Sequence, residues 1–226
     1  MTDETDQKRA SEGAKQDHTV FFPSLDRFNA FSDGVLAIAI TLLVLELPVP
    51  AVSVALLPAL KESWPEFLGY LISFAFIGSI WLTHSTLTKM MKRGDSIAYG
   101  VNLVLLLFVA LLPFSTSLMV THLAAPDVRV AVIFYGLNVL LASLTLSLLM
   151  FYVAREPALV VDQMADETLR MLYRERWVVI AVSVFALAMA FVAPFVAVGL
   201  YLVSTVLLLA LPLVGLGRRW RRPARA

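Results

Sequence analysis

Apolar positions fall in long continuous blocks, with the charged residues gathered between them. Phe67–Thr88, Ile97–Thr121 and Val130–Ala154 carry no Asp, Glu, Lys or Arg over 22, 25 and 25 residues. A helix rising about 1.5 Å per residue needs about 20 apolar residues to cross a hydrocarbon layer about 30 Å thick, so each block predicts one membrane-spanning helix. Phe28–Leu47 predicts another, interrupted only by Asp33 and Glu46 and stopped by Pro48-Val49-Pro50. Trp177–Gly217 is uncharged for 41 residues, the length of two spans, and its Ala193-Pro194 and Gly199 predict a tight turn between them. The pattern therefore predicts an all-α integral membrane protein with six transmembrane helices. The period-two alternation of a membrane β-barrel is missing.

The cations orient the spans. With the N-terminus inside, 16 of the 18 Lys and Arg fall in cytoplasmic segments, and only Lys61 and Arg129 fall outside. Cytoplasmic loops carry the excess of Lys and Arg, so both termini are predicted to be cytoplasmic. Met1–His18 is polar and charged, without the apolar stretch of a signal peptide, and residues 1–24 are predicted to be a disordered terminus. Residues 25–218 form the six-helix domain and 219–226 a basic tail, and the arginines from Arg218 to Arg225 across that boundary suit anionic lipid. The mixed segment Glu156–Arg176 predicts a short cytoplasmic helix continuing into the fifth span, with Asp166 and Arg170 paired at i,i+4.

Composition narrows the class of function. The chain is 59% apolar and only 15% charged, with a mean hydropathy of +0.81, against about 25% charged residues in an ordinary soluble domain. A net charge of +1 excludes a basic nucleic-acid binder, and the absence of cysteine removes disulfides and thiolate metal sites. No loop is long enough to hold a soluble domain, so the function belongs in or across the bilayer. No Walker loop, HExxH or nucleophile motif is present, so neither an enzyme nor a cofactor is expected.

Polar residues inside the spans are the candidates for chemistry. A carboxylate within a span costs about 2.5–3.5 kcal/mol, which predicts that Asp33 faces protein and has a partner. At about 100° per residue, Ile38, Leu42 and Leu45 form a narrow stripe flanked by Thr41, while Ser32 and Asp33 lie on a different face. Trp81 and His84, at i,i+3 on the second span, and Asn102 on the third sit at the depth of Ser32 and Asp33, and their N–H groups can donate to a carboxylate. Such residues either lock helices together or take part in gating. The aliphatic stripe, by pattern alone, reads as a lipid-facing or core surface more readily than as a pore.

Arg27-Phe-Asn-Ala-Phe31-Ser32-Asp33 reads RxxxFSD and is followed by Gly-Val-Leu-Ala-Ile-Ala-Ile-Thr-Leu-Leu-Val-Leu. This stretch resembles the prokaryotic branch of the transmembrane protein 175 family, the endosomal and lysosomal potassium channels, and Trp81-x-x-His84 supports the resemblance. The resemblance implies a homotetramer in a prokaryotic plasma (inner) membrane, with the first helix of each copy lining a central pore. It implies that Ile38 forms the narrowest hydrophobic ring, with Leu42 and Leu45 as the next layers outward and Thr41 as a hydroxyl ring linked to potassium preference. It also implies that Arg27, Phe31, Ser32 and Asp33 hold that helix against its neighbours, with Trp81, His84 and Asn102 as contacts. Expected partners are then a second copy of the chain, potassium and other monovalent cations in transit, and lipid. No resident metal is expected. The sequence has no TVGYG filter, and Glu46, near the outer mouth and off the stripe, either is simply solvated at the helix end or concentrates cations there. The competing expectation is a proton-coupled secondary transporter, which calls for a second, inverted copy of the broken-helix pattern.

Overall fold

The computed structural model describes residues 24–161 and 177–205 in full, and 165–176 as backbone. Helix α1 (Leu25–Leu43) runs into a 3₁₀ turn at Val44–Glu46 and ends before Pro48. A short helix α2 (Leu56–Glu62), not foreseen in the sequence, precedes the long α3 (Trp64–Lys89). Then follow α4 (Ser96–Ala110), α5 (Leu112–Thr121), α6 (Val128–Arg155) and α7 (Ala165–Ala190), and α8 from Pro194 to Thr205. Among the described residues, four stretches are long and apolar enough to cross a bilayer: Leu25–Glu46, Trp64–Lys89, Ser96–Thr121 and Val128–Arg155. The shorter apolar helices are Trp177–Ala190 and Pro194–Thr205. The disordered N-terminus and basic tail expected from the sequence, and the Asp166/Arg170 side chains, lie outside the described residues.

Two breaks refine the sequence reading. The third block is divided at Leu111 because Pro113 has no N–H to donate to the preceding turn. Just after the break, Ser115 and Thr116 both donate to the Leu112 carbonyl, at 3.0 and 2.7 Å. The final block turns at Phe191–Ala193, with Pro194 opening α8 in the first-turn position where a missing N–H costs nothing. Gly199 lies inside that helix rather than in the turn.

Helix α1 packs on α3, α4 and α5, while α6 packs on the far side of α4 and α5 and also carries α7. Between helices in lipid there is no hydrophobic driving force, so close packing, small residues and hydrogen bonds hold them. Gly136 of α6 shows the first two. A Cβ there would overlap the Tyr201 hydroxyl of α8 and lie 2.9 Å from Tyr201 Cζ and 3.2 Å from Leu187 Cδ1. Gly136→Ala is therefore expected to destabilise the α6–α8 contact by about 1–3 kcal/mol, read as a lower Tm of the purified protein. Gly78→Ala, whose Cβ meets nothing within 4 Å, is expected to leave Tm unchanged.

A second apolar cluster lies at the opposite end of the bundle from α2. Leu87, Met90 and Met91 meet Leu149, Val153, Leu159 and Val160 there. The two loops of that end are zipped by an antiparallel bridge between Met91 and Val160, with Lys92 N donating to Leu159 O at 2.7 Å and Val161 N to Met90 O at 3.0 Å. Asp95 caps α4 through the Ala98 N–H at 2.9 Å and accepts a hydrogen bond from the Tyr152 hydroxyl.

Candidate pore surface and helix-packing network

Helix α1 presents two sides. Phe28, Ser32, Leu36, Ala39 and Leu43, spaced three and four apart, form the side buried against the rest of the chain. Ile38, Leu42 and Leu45 lie on the exposed flank, with Ile38 60% and Leu45 74% exposed. Thr41 is exposed beside them, and its hydroxyl donates to the Ile38 carbonyl at 2.9 Å. Glu46 is exposed at the end of the same helix. Arg27 and Phe31 also lie exposed rather than against α3 or α4, so within one chain they do not join the packing network expected of them.

Ser32 and Asp33 do join it, but in separate contacts. Asp33 is exposed, and its Oδ1 accepts from Trp81 Nε1 at 3.0 Å on one flank of α1. Ser32 is fully buried. It donates to Phe28 O at 2.9 Å and accepts from Asn102 Nδ2 at 2.9 Å. Asn102 Oδ1 in turn meets His84 Nε2 at 2.8 Å. With the amide placed this way, His84 carries its proton on Nε2. A single polar knot with the imidazole donating to a buried carboxylate is thus corrected. His84 serves Asn102, and only the indole serves Asp33, because adjacent residues on a helix point about 100° apart.

The relay from His84 through Asn102 to Ser32 ties α3, α4 and α1 together at one depth. Two aromatic residues that the sequence reading missed seal it. The Phe28 ring lies 5.9 Å from the His84 ring and 4.9 Å from the Tyr99 ring, centroid to centroid. Phe28 was available as a signal, since it stands one turn before Ser32 on the same side. Deeper in the chain, Ser73 meets Thr116 at 2.7 Å and Tyr135 at 3.1 Å, and Asn138 donates to Ser115 at 3.0 Å. These bonds are interhelical and lie away from the exposed flank of α1.

The family described as endosomal/lysosomal potassium channel TMEM175 matches residues 27–113, the part that contains α1, the relay and the Asp33–Trp81 pair. A protein of Chryseobacterium named a potassium channel is 32% identical over 176 residues, which are 77% of this chain and 87% of that one. The chain belongs to the TMEM175 family. It is a multi-pass membrane protein of a channel family, not of an enzyme family. A potassium channel of Chamaesiphon minutus is 42% identical over 114 residues, but the match spans only 56% of that relative's length and 49% of this chain. The crystal structure of a lysosomal potassium-selective channel TMEM175 homolog from the same organism superposes with a TM-score of 0.74 at 30% identity, covering 82% of this chain and 96% of that one. Vertebrate relatives, the zebrafish protein among them, are named endosomal/lysosomal proton channels. The zebrafish protein is 38% identical over 109 residues, 44% of this chain and 21% of its own length.

Proposed function

We propose that this TMEM175-family chain forms a potassium-permeable cation channel of a prokaryotic plasma membrane. Four copies surround one axis, each with six spans and both termini in the cytoplasm. The observation that carries the reading is the burial of α1. Only 28% of its apolar window is covered by its own chain, against 44–50% for the next three spans. The covered side is the one that the relay holds, so the free flank with Ile38, Leu42 and Leu45 is turned outward in a fixed orientation. Cyclic symmetry repeats each of these residues as a ring of four.

In that arrangement Ile38 closes the path by dewetting, as hydrophobic constrictions do. Leu42 and Leu45 continue the apolar wall over about 10 Å. Thr41 contributes something different. Its hydroxyl proton is committed to the Ile38 carbonyl, so the oxygen lone pairs point outward as acceptors suited to a dehydrated cation. Glu46 adds a negative ring at the outer mouth, which raises the local cation concentration. Selectivity rests on this wall, since the chain has no TVGYG sequence.

Planar-bilayer recording of the purified protein, with potassium on one side and sodium on the other, tests the proposal. Open-channel currents reversing on the potassium side of zero are expected, from an assembly of four times the 24.9 kDa chain mass. Absence of current would overturn it, and saturating flux that requires a proton gradient would assign a carrier instead. The vertebrate relatives' names favour one further arm, a pH gradient without potassium, which reads any proton current through the same path.

A further inference from the structure

A groove of about 330 Å³ runs between α4 and α6, lined by Ile97, Gly100, Val101 and Val104 on one side and Thr145 and Leu148 on the other. It is at the small end of the range of about 300–1,000 Å³ typical of ligand pockets. Thr145 brings its only side-chain hydroxyl, and that proton is already given to the Leu141 carbonyl at 2.8 Å. The slot opens beside Gly100, where a Cβ would meet nothing within 4 Å. Ile97, Val104 and Leu148 are exposed around it. From Ile97 to Val104 the groove follows two helical turns, about 10 Å, into the membrane from the start of α4.

Two arginines lie beyond one end of the groove along the chain. Arg93 is exposed three residues before α4 begins. Arg155 is exposed at the end of α6, two turns from Leu148 along the same face, with its guanidinium 4.1 Å from the Phe151 ring centroid. The nearby Asp95 is occupied by the α4 cap and by Tyr152. Glu156 follows Arg155 and is exposed. An apolar slot that ends one to two helical turns short of two arginines has the polarity profile of one particular kind of molecule.

We infer that this groove holds an anionic phospholipid, one acyl chain filling the space beside Gly100 and the headgroup phosphate resting on Arg93 and Arg155. Basic sites between helices on the cytoplasmic side take such headgroups, and the planar guanidinium fork fits phosphate. The site is separate from the flank of α1 that lines the proposed pore. Its lipid would nonetheless brace α4, the helix whose Asn102 holds α1 through Ser32.

Native mass spectrometry of the full-length protein, purified and supplied with dioleoyl phosphatidylglycerol or dioleoyl phosphatidylcholine, tests this inference. The wild-type protein is expected to retain phosphatidylglycerol in preference to phosphatidylcholine. The double variant Arg93→Gln/Arg155→Gln should lose that preference by about fivefold per arginine. Gly100→Leu puts a side chain into the slot, where the Cβ itself meets nothing within 4 Å, and should lose both lipids while keeping the assembly mass and Tm. Equal retention of the two lipids by the wild-type protein, or unchanged retention in both variants, overturns the inference. A change in the number of copies with Gly100→Leu would assign the groove to a contact between chains and overturn it as well.

Discussion

Ile38→Asn is expected to raise potassium flux into protein-loaded liposomes by about tenfold or more, a lowering of the permeation barrier by at least about 1.4 kcal/mol. A ring of four isoleucine side chains offers water nothing to bond to, so the narrow section empties and an ion there loses its hydration. Four amides restore donors and acceptors at the same position, and the column can refill. The substitution does not disturb the interior of the chain, because Ile38 is 60% exposed within it. If Ile38 faced lipid instead, the amide would meet hydrocarbon at a cost. The variant would then insert poorly and its flux would not rise. Unchanged flux from a properly assembled variant removes Ile38 from the conduction path.

The second large effect is expected at Asn102. Asn102→Leu leaves the His84 Nε2–H without an acceptor while the ring is 1% exposed. Ser32 keeps its bond to Phe28 O but loses its donor. An interhelical hydrogen bond in a membrane protein contributes on average only about 0.6 kcal/mol. A stranded buried donor costs more, about 1–3 kcal/mol. The total predicts a clear fall in Tm and weaker retention of the assembly in detergent. Adding His84→Phe removes the orphan and substitutes a ring that stacks with Phe28, so the double variant should recover most of the loss. A single variant as stable as the wild-type protein would show that packing alone holds α1 in orientation.

How far the site was legible follows from these particular residues. Trp81, His84, Asn102, Ser32 and Asp33 stand out in sequence because polar groups are rare inside apolar spans and need partners at their own depth. Depth can be counted along a helix, so these five residues could be grouped, and the structure joins them in two separate contacts. Who bonds to whom was not legible. Ser32 and Asp33 are neighbours in sequence but point in different directions, and the two contacts they make lie on different sides of α1. Arg27 and Phe31 share the motif yet face away from the chain that carries them. The break at Leu111 was signalled by Pro113, whereas the close approach of Tyr201 to Gly136 had no signal, since a glycine in an apolar helix has many uses.

By itself the sequence determined the class of molecule, the placing of four apolar spans and its membership of a family through RxxxFSD. It could do so because a bilayer admits only segments that satisfy their own backbone, which forces long uninterrupted apolar runs. Which side of each helix is covered was decided only in the tertiary structure. Lipid tails are as apolar as a leucine-rich core, so Leu36, which is buried, and Ile38, which is not, are chemically alike in sequence. The turn of α1 that separates them is fixed by Asn102 and Ser32 meeting across 70 positions of chain.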